Sequence, residues 1–225
     1  MAVETADSRD VFVATDSDEI RNAAQAFGAN VIMTSPECAN GTERCAEAVN
    51  SLPAGYDLIV NLQGDAPLTP AWFLDALITA MANNPDADVA TPVLRCDAWT
   101  LDGFKSDRAA GRVGGTTAVF DKNNRGLYFS KEVIPYTDDN LDGQNIPVFH
   151  HVGVYAYRAD ALRLYVGWPV GPLERNEGLE QLRFLENGTV VECVEVDGRG
   201  RKFWELNNPS DKARIEEVLM ELGIE

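Results

Sequence analysis

Short apolar runs alternate with amphipathic stretches along the first hundred residues, and this alternation predicts strands and helices in turn. Val11 to Ala14 is a β-branched and aromatic run that stops at Thr15-Asp16. A helix follows, with Ser17 as its cap, Asp18 and Glu19 in the first turn, and Gly28 near its end. Asn30 to Thr34 reads as the next strand. Asn40-Gly41-Thr42-Glu43 then has the spacing of a capping box and opens a helix through Leu52. The apolar run from Leu58 is a third strand, and Thr69-Pro70 starts a helix to about Asn83, with proline at the first helical position. Asp88 to Leu94 is a fourth strand.

The second half is less regular. Cys96 to Gly111 reads as a connecting loop with a short helix, and Thr116 to Phe120 and Gly126 to Phe129 flank the hairpin signal Lys122-Asn123-Asn124. Val152 to Tyr157 is a further strand, Pro172 opens a helix through Glu186, Val190 to Val196 is a strand, and Pro209 starts a terminal helix. Strands alternating with helices of this length predict an α/β fold: a Rossmann-like, doubly wound, mostly parallel sheet with helices on both faces. No repeat or linker divides the chain. Residues 1–225 are therefore expected to form one domain, with a smaller mixed β part at about 96–157.

Composition narrows the functional classes. The chain has 225 residues, 45% hydrophobic and 24% charged, which suits a full core in an ordinary globular protein. No apolar run reaches the roughly 18 residues a membrane span needs, and no basic-then-apolar leader opens the chain, so a cytoplasmic protein without membrane insertion is expected. A net charge of −17 argues against nucleic acid as a partner. Cys38, Cys45, Cys96 and Cys193 form no C-x-x-C pair, so reduced thiols are expected rather than a metal or disulfide framework.

The chemistry concentrates where the third strand ends in Gln63-Gly64-Asp65-Ala66-Pro67. Ligands of open α/β sheets sit beyond the carboxyl ends of the strands, so Gln63 and Asp65 are delivered to a cleft edge, where Asp65 can hold a hard cation. Asn40 to Arg44 offers free NH groups at a helix start beside an arginine fork, which suits a nucleotide base or phosphate; a plain capping box explains the same residues. His151, Tyr155 and Tyr157 share one strand face and can point polar tips into a pocket or pack beside the core. Glu180, Gln181 and Arg183 read as helix surface, with Leu179, Leu182 and Leu185 as the buried stripe.

In this order the segments are more specific than any one alone. VATD at Val13 to Asp16, NGTER at Asn40 to Arg44, VNLQGDAPL at Val60 to Leu68, LYFSK at Leu127 to Lys131, HVGVYAY at His151 to Tyr157, PLE at Pro172 to Glu174 and LEQLRFLENG at Leu179 to Gly188 span nearly the whole chain. Through them the chain resembles the 3-deoxy-manno-octulosonate (Kdo) cytidylyltransferases. The resemblance implies a nucleotide-diphospho-sugar transferase type of fold and magnesium-dependent transfer of CMP from CTP to the anomeric hydroxyl of Kdo, releasing pyrophosphate, for surface glycoconjugate synthesis such as lipopolysaccharide or capsule. It also implies roles. Asp65 and Lys131 would be catalytic, with Asp65 and Asn207 as magnesium ligands; Gly41, Thr42, Arg44 and Gln63 would bind the nucleotide; Lys131, His151, Tyr155, Glu180 and Gln181 would serve the sugar acid, the cation pairing with its carboxylate. A homodimer is implied too, with Pro147 to Val152 in its interface.

The chain departs from the family pattern at several points. Relatives open with a strand and a Gly/Pro-rich phosphate loop bearing an arginine and a lysine, whereas Met1 falls inside the helix that follows, so that loop is expected to be absent. Asn207 stands where the family has a second aspartate, Ala66 replaces a frequent acid, and Lys131 replaces a frequent arginine. These departures keep two alternatives open: a catalytically impaired sugar-acid-binding or regulatory paralogue, and a cytidylyltransferase for a related ulosonate.

Overall fold

A computed structural model describes residues 10–113, 115–137, 146–206, 208–221 and 223. In chain order its elements begin β1 (Phe12–Thr15), α1 (Asp18–Ala26), β2 (Asn30–Met33), α2 (Gly41–Asn50), β3 (Leu58–Leu62), α3 (Ala71–Asn83) and β4 (Val89–Arg95). They continue with α4 (Ala98–Ala109), β5 (Thr116–Phe120), β6 (Gly126–Ser130), β7 (Phe149–His151) and β8 (Val154–Arg158). The chain closes with α5 (Ala159–Tyr165), α6 (Pro172–Glu177), α7 (Leu182–Glu186), β9 (Val191–Val196) and α8 (Asp211–Glu221). The predicted caps hold: Ser17 Oγ accepts from Ile20 N at the start of α1, and Asn40 Oδ1 from Glu43 N at the start of α2. Glu43 Oε2 reaches back to Ala39 N at 2.8 Å, one residue outside the reciprocal bond of an ideal capping box.

The fold is α/β as expected, but strand pairing is mixed rather than mostly parallel. β1 and β2 pair in parallel as a ladder of their own, and the larger sheet runs β3-β8-β4-β7-β5-β6, with β9 parallel to β4. β8 lies antiparallel between β3 and β4. It follows that β3, β4 and β9 still point the same way, so the βα units keep their common direction while β8 is inserted against it.

One segment decides where a crevice can open. β7 and β8 form nearly one strand along β4, interrupted at Val152-Gly153. On its other side β7 pairs with β5, whereas β8 pairs with β3. The neighbour changes at the interruption, so the ladders to β3 and β5 part beside Gly153. Such a divergence at carboxyl strand ends is where α/β proteins place ligands.

Helices cover both faces. Phe73, Leu77 and Met81 of α3, Phe104 of α4 and Val218 of α8 pack on one side with Val154 and Ala156. Ala46 of α2, Leu162 and Tyr165 of α5, and Leu182 and Phe184 of α7 pack on the other with Tyr155 and Tyr157.

Three predicted elements change form. Cys96 to Gly111, expected as a connecting loop with a short helix, is mostly a twelve-residue helix, α4, capped by Asp97 through Thr100 N. The helix expected from Pro172 to Glu186 breaks into α6 and α7, because Gly178 takes a left-handed backbone with φ of 62°. The expected interface segment Pro147 to Val152 runs through β7, with Val148, His150, His151 and Val152 buried between β4 and β5; an interior strand cannot present these side chains to a second subunit.

Candidate active site

The face of β3 that looks toward α2 grades from apolar to polar. Ile59, Asn61 and Gln63 lie on it at period two, and Asn61 pairs in register with Tyr155 of β8. At the strand end the Gln63 side chain is held against the start of α2: its Nε2 donates to Glu180 Oε1 at 2.7 Å. Glu180 Oε2 accepts from Thr42 N at 2.8 Å. The close approach needs glycine at position 41, where an added Cβ would stand 2.6 Å from Gln63 Nε2 and 3.3 Å from Asn61 Nδ2. Four predicted site residues, Gly41, Thr42, Gln63 and Glu180, are thus joined directly. Burial raises the Glu180 carboxyl above its ordinary range, with the Thr42 and Gln63 donors acting against it.

The far wall is built by Glu205 and Gly153. Glu205 Oε1 accepts from Gly153 N at 2.7 Å at the strand interruption. A Cβ at Gly153 would meet Glu205 Oε1 at 3.1 Å and Gln63 Oε1 at 3.3 Å, so β3 and the chain before α8 close on the same point. Leu206 N donates to Asp65 O at 2.9 Å and ties the Asp65 turn to that segment. Asp65 itself is exposed at the rim, and partial desolvation raises its carboxyl.

A magnesium site fits this donor set in a limited way. Asp65 offers an open hard-oxygen ligand, Glu205 lies in the segment bonded to it, and Asn207 is outside the described residues. Among the described residues no cluster of three or more His, Cys, Asp or Glu forms a cage. Magnesium is commonly held by one or two carboxylates together with substrate phosphates, and these carboxylates can serve in that way.

Other predicted residues fall elsewhere. Arg44 Nη1 bonds Thr34 Oγ1 at 2.5 Å and Asp16 Oδ1 at 3.1 Å, which commits it to the ends of β1 and β2. Lys131 N donates to Glu177 Oε2 at 3.0 Å, and its Nζ lies 3.0 Å from the Cβ position of Gly178, beside the turn carrying Glu180. His151 and Tyr155 are not open to a sugar as expected. His151 Nε2 lies 2.9 Å from Thr91 Oγ1, and Tyr155 donates to Gln181 Oε1 at 3.2 Å, all of these side chains buried. The reason is that β7 and β8 are interior strands whose face is roofed by α5 and α7. Burial pushes His151 down to about 3, so it is neutral.

Sequence patterning also misplaced Gln181 and Arg183, read as helix surface but 1% and 2% exposed. Arg183 is held by Glu174 through Nε and Nη2, each at 2.6 Å, and by Glu43 at 3.1 Å, so α6, α7 and α2 meet on one guanidinium. Asn61 and Gly153 were missed as site residues. The period-two relation of Asn61 to Gln63 was the available signal for Asn61; nothing local marked Gly153.

Comparison with known proteins gives this geometry its context. A cytidylyltransferase family model matches residues 1–196. A 3-deoxy-manno-octulosonate cytidylyltransferase of Maricaulis maris is 40% identical, over 95% of this chain and 82% of its own length. The mitochondrial enzyme of that name from Arabidopsis thaliana is 35% identical, over 94% and 69%. A solved CMP:2-keto-3-deoxy-manno-octonic acid synthetase complexed with CTP superposes with a TM-score of 0.80 at 29% identity, covering 98% of this chain and 85% of that one. An inositol-1-phosphate CTP transferase from T. maritima, at 13% identity and a TM-score of 0.58, shares the fold. With the motifs carried in order on a matching fold, this chain belongs to the 3-deoxy-manno-octulosonate cytidylyltransferase family.

Proposed function

We propose that the chain transfers CMP from CTP to the anomeric hydroxyl of 3-deoxy-manno-octulosonate, releasing pyrophosphate. The observation that carries this reading is the pair of hydrogen bonds accepted by Glu180: the segments assigned to the nucleotide, through Thr42 N and Gln63 Nε2, and the segment assigned to the sugar acid, through Glu180, meet on one carboxylate. Two substrates bound to these segments would be neighbours, which is the principal requirement of a transfer that runs on positioning and charge neutralisation. Gly41 lets a ligand approach the start of α2, where the positive end of the helix dipole favours acceptor atoms. Lys131 supplies positive charge beside the Glu180 turn, where a sugar carboxylate can pair with it. Asp65 and Glu205 would hold magnesium, which when bound neutralises phosphate charge.

The reading extends to a homodimer working in a reducing compartment, the cytoplasm; the four cysteines are free, and among the described residues no helix is long and apolar enough to cross a membrane. Pyrophosphate release from CTP, magnesium and Kdo tests the reaction. A folded sample that releases none sinks it. Light scattering tests the dimer, and a monomer mass would sink that part.

A further inference from the structure

Lys131 carries an ammonium without an acid partner in a chain that has 36 acidic side chains against 19 lysines and arginines. Among the described residues no ion pair takes it up. Two glutamates stand close to it in the fold, and other donors hold both. Glu132 is paired with Arg108. Glu177, the last residue of α6, accepts from Ser130 Oγ at 2.8 Å and Tyr128 OH at 3.2 Å through Oε1, and from Lys131 N at 3.0 Å through Oε2. With three of its about four lone-pair sites taken, that carboxylate competes weakly for the ammonium. It grips the end of β6 and leaves the charge uncommitted.

The next residue supplies the space the charge occupies. Gly178 has a left-handed backbone, and a Cβ there would stand 3.0 Å from Lys131 Nζ. The backbone conformation alone would admit asparagine as well as glycine. The approach of the ammonium would not, since any side chain at 178 displaces it. Lys131 is half-buried, and its side chain lies back over the turn between α6 and α7, with Glu180 two residues beyond Gly178. An unpaired lysine pointing into water needs no account; one folded over a glycine at the edge of the site does.

We infer that Glu177 and Gly178 are positioning residues for the Lys131 ammonium. Glu177 fixes the backbone from which the side chain leaves β6, and Gly178 keeps open the place where Nζ stands, so the charge is set to meet a sugar carboxylate. This rests on the cytidylyltransferase reading. Both residues act through Lys131 and neither touches substrate.

The test is steady-state pyrophosphate release, with CTP and Kdo varied in turn, in Glu177→Gln and Gly178→Asn, each alone and combined with Lys131→Ala. Glu177→Gln keeps the shape and removes the charge; Gly178→Asn suits the left-handed backbone but fills the place of the ammonium. Each should raise KM for Kdo about fivefold, the worth of a half-exposed ion pair, with kcat and KM for CTP near the parent's. Neither should raise it further once Lys131 is alanine. The melting midpoint of Gly178→Asn should stay close to the parent's, and this variant carries the test even where Glu177→Gln does not fold. Equal effects with and without Lys131 overturn the inference. A rise in both KM values together with a lowered midpoint marks a structural role and overturns it too. An unchanged KM for Kdo in Lys131→Ala overturns it along with the sugar-side role of the lysine, while turnover by the parent leaves the transfer reading standing. A folded parent that releases no pyrophosphate sinks that reading itself, a distinct result.

Discussion

Removing the Glu174 carboxylate should destabilise the protein and loosen the sugar-side wall together. Arg183 is 2% exposed, and its guanidinium is gripped by both Glu174 oxygens at 2.6 Å, by Glu43 at 3.1 Å, and by the Tyr165 ring 4.1 Å from its centroid. Glu174→Ala would leave that charge buried with Glu43 and the ring as its remaining partners. Breaking a buried pair from one side costs about 3–5 kcal/mol, and those two partners place the loss near the lower end. A loss of about 3 kcal/mol corresponds to roughly 6–12 °C in melting midpoint for a chain of this size. Urea unfolding and thermal melts at pH 7.5 read it, and a double-mutant cycle with Arg183→Met isolates the coupling. The double variant should be more stable than Glu174→Ala, because the stranded charge is gone. Since α6 and α7 flank Glu180 and Gln181, the single variant should also raise KM for the sugar acid. A loss below about 1 kcal/mol, or a double variant no better than the single, would refute the claim that this pair is desolvated and mutually dependent.

Gly41→Ala should raise KM for CTP several-fold and leave the melting midpoint within a few degrees, because the clash falls on the movable tip of Gln63 and alanine suits a helix start; unchanged KM would mean the Gln63 amide is not part of the nucleotide pocket. Asp65→Asn should abolish magnesium-dependent pyrophosphate release with stability intact, since the carboxylate is exposed, and near-parent turnover would count against its role as a ligand. Burial pushes His150 and His151 down to about 3, against about 6.5 in an unfolded chain. Between those values the unfolded chain binds more protons, so their contribution is complete above pH 6.5 and is lost on acidification, by up to about 1.4 kcal/mol per pH unit for each ring. Glu205 Oε2, 4.0 Å from His150 Nε2, is beyond hydrogen-bond reach, and desolvation dominates at His150. Urea midpoints should therefore fall between pH 6.5 and 4.5, and a flat profile would show that water reaches these rings.

Much of the site was legible because motif residues act through local geometry. Asn40 caps α2 as its spacing requires, and the NH of Thr42, which has no acceptor within the first turn, goes to Glu180. Gln63 and Asp65 stand just beyond β3 because an apolar run was interrupted by glycine and closed by proline. Arg183 was misread because helical periodicity assigned it to solvent. Gly178 breaks that helix, and after the break a charge is stable inside when two glutamates on other elements arrive to meet it.

The sequence by itself determined the α/β alternation, the caps, the strand-end chemistry and the family, since each depends on residues close together in the chain or on motifs in fixed order. The tertiary structure alone decided that β8 runs against its neighbours, that β7 and β8 part at Gly153 between β5 and β3, and that His151 and Tyr155 are enclosed. It also decided that Thr42, Gln63 and Glu180 meet, across 117 positions from Gln63 and 138 from Thr42. Strand neighbours and buried polar partners are chosen by which distant surfaces pack together, and periodicity, which reports only the face of a single element, carries no record of that choice.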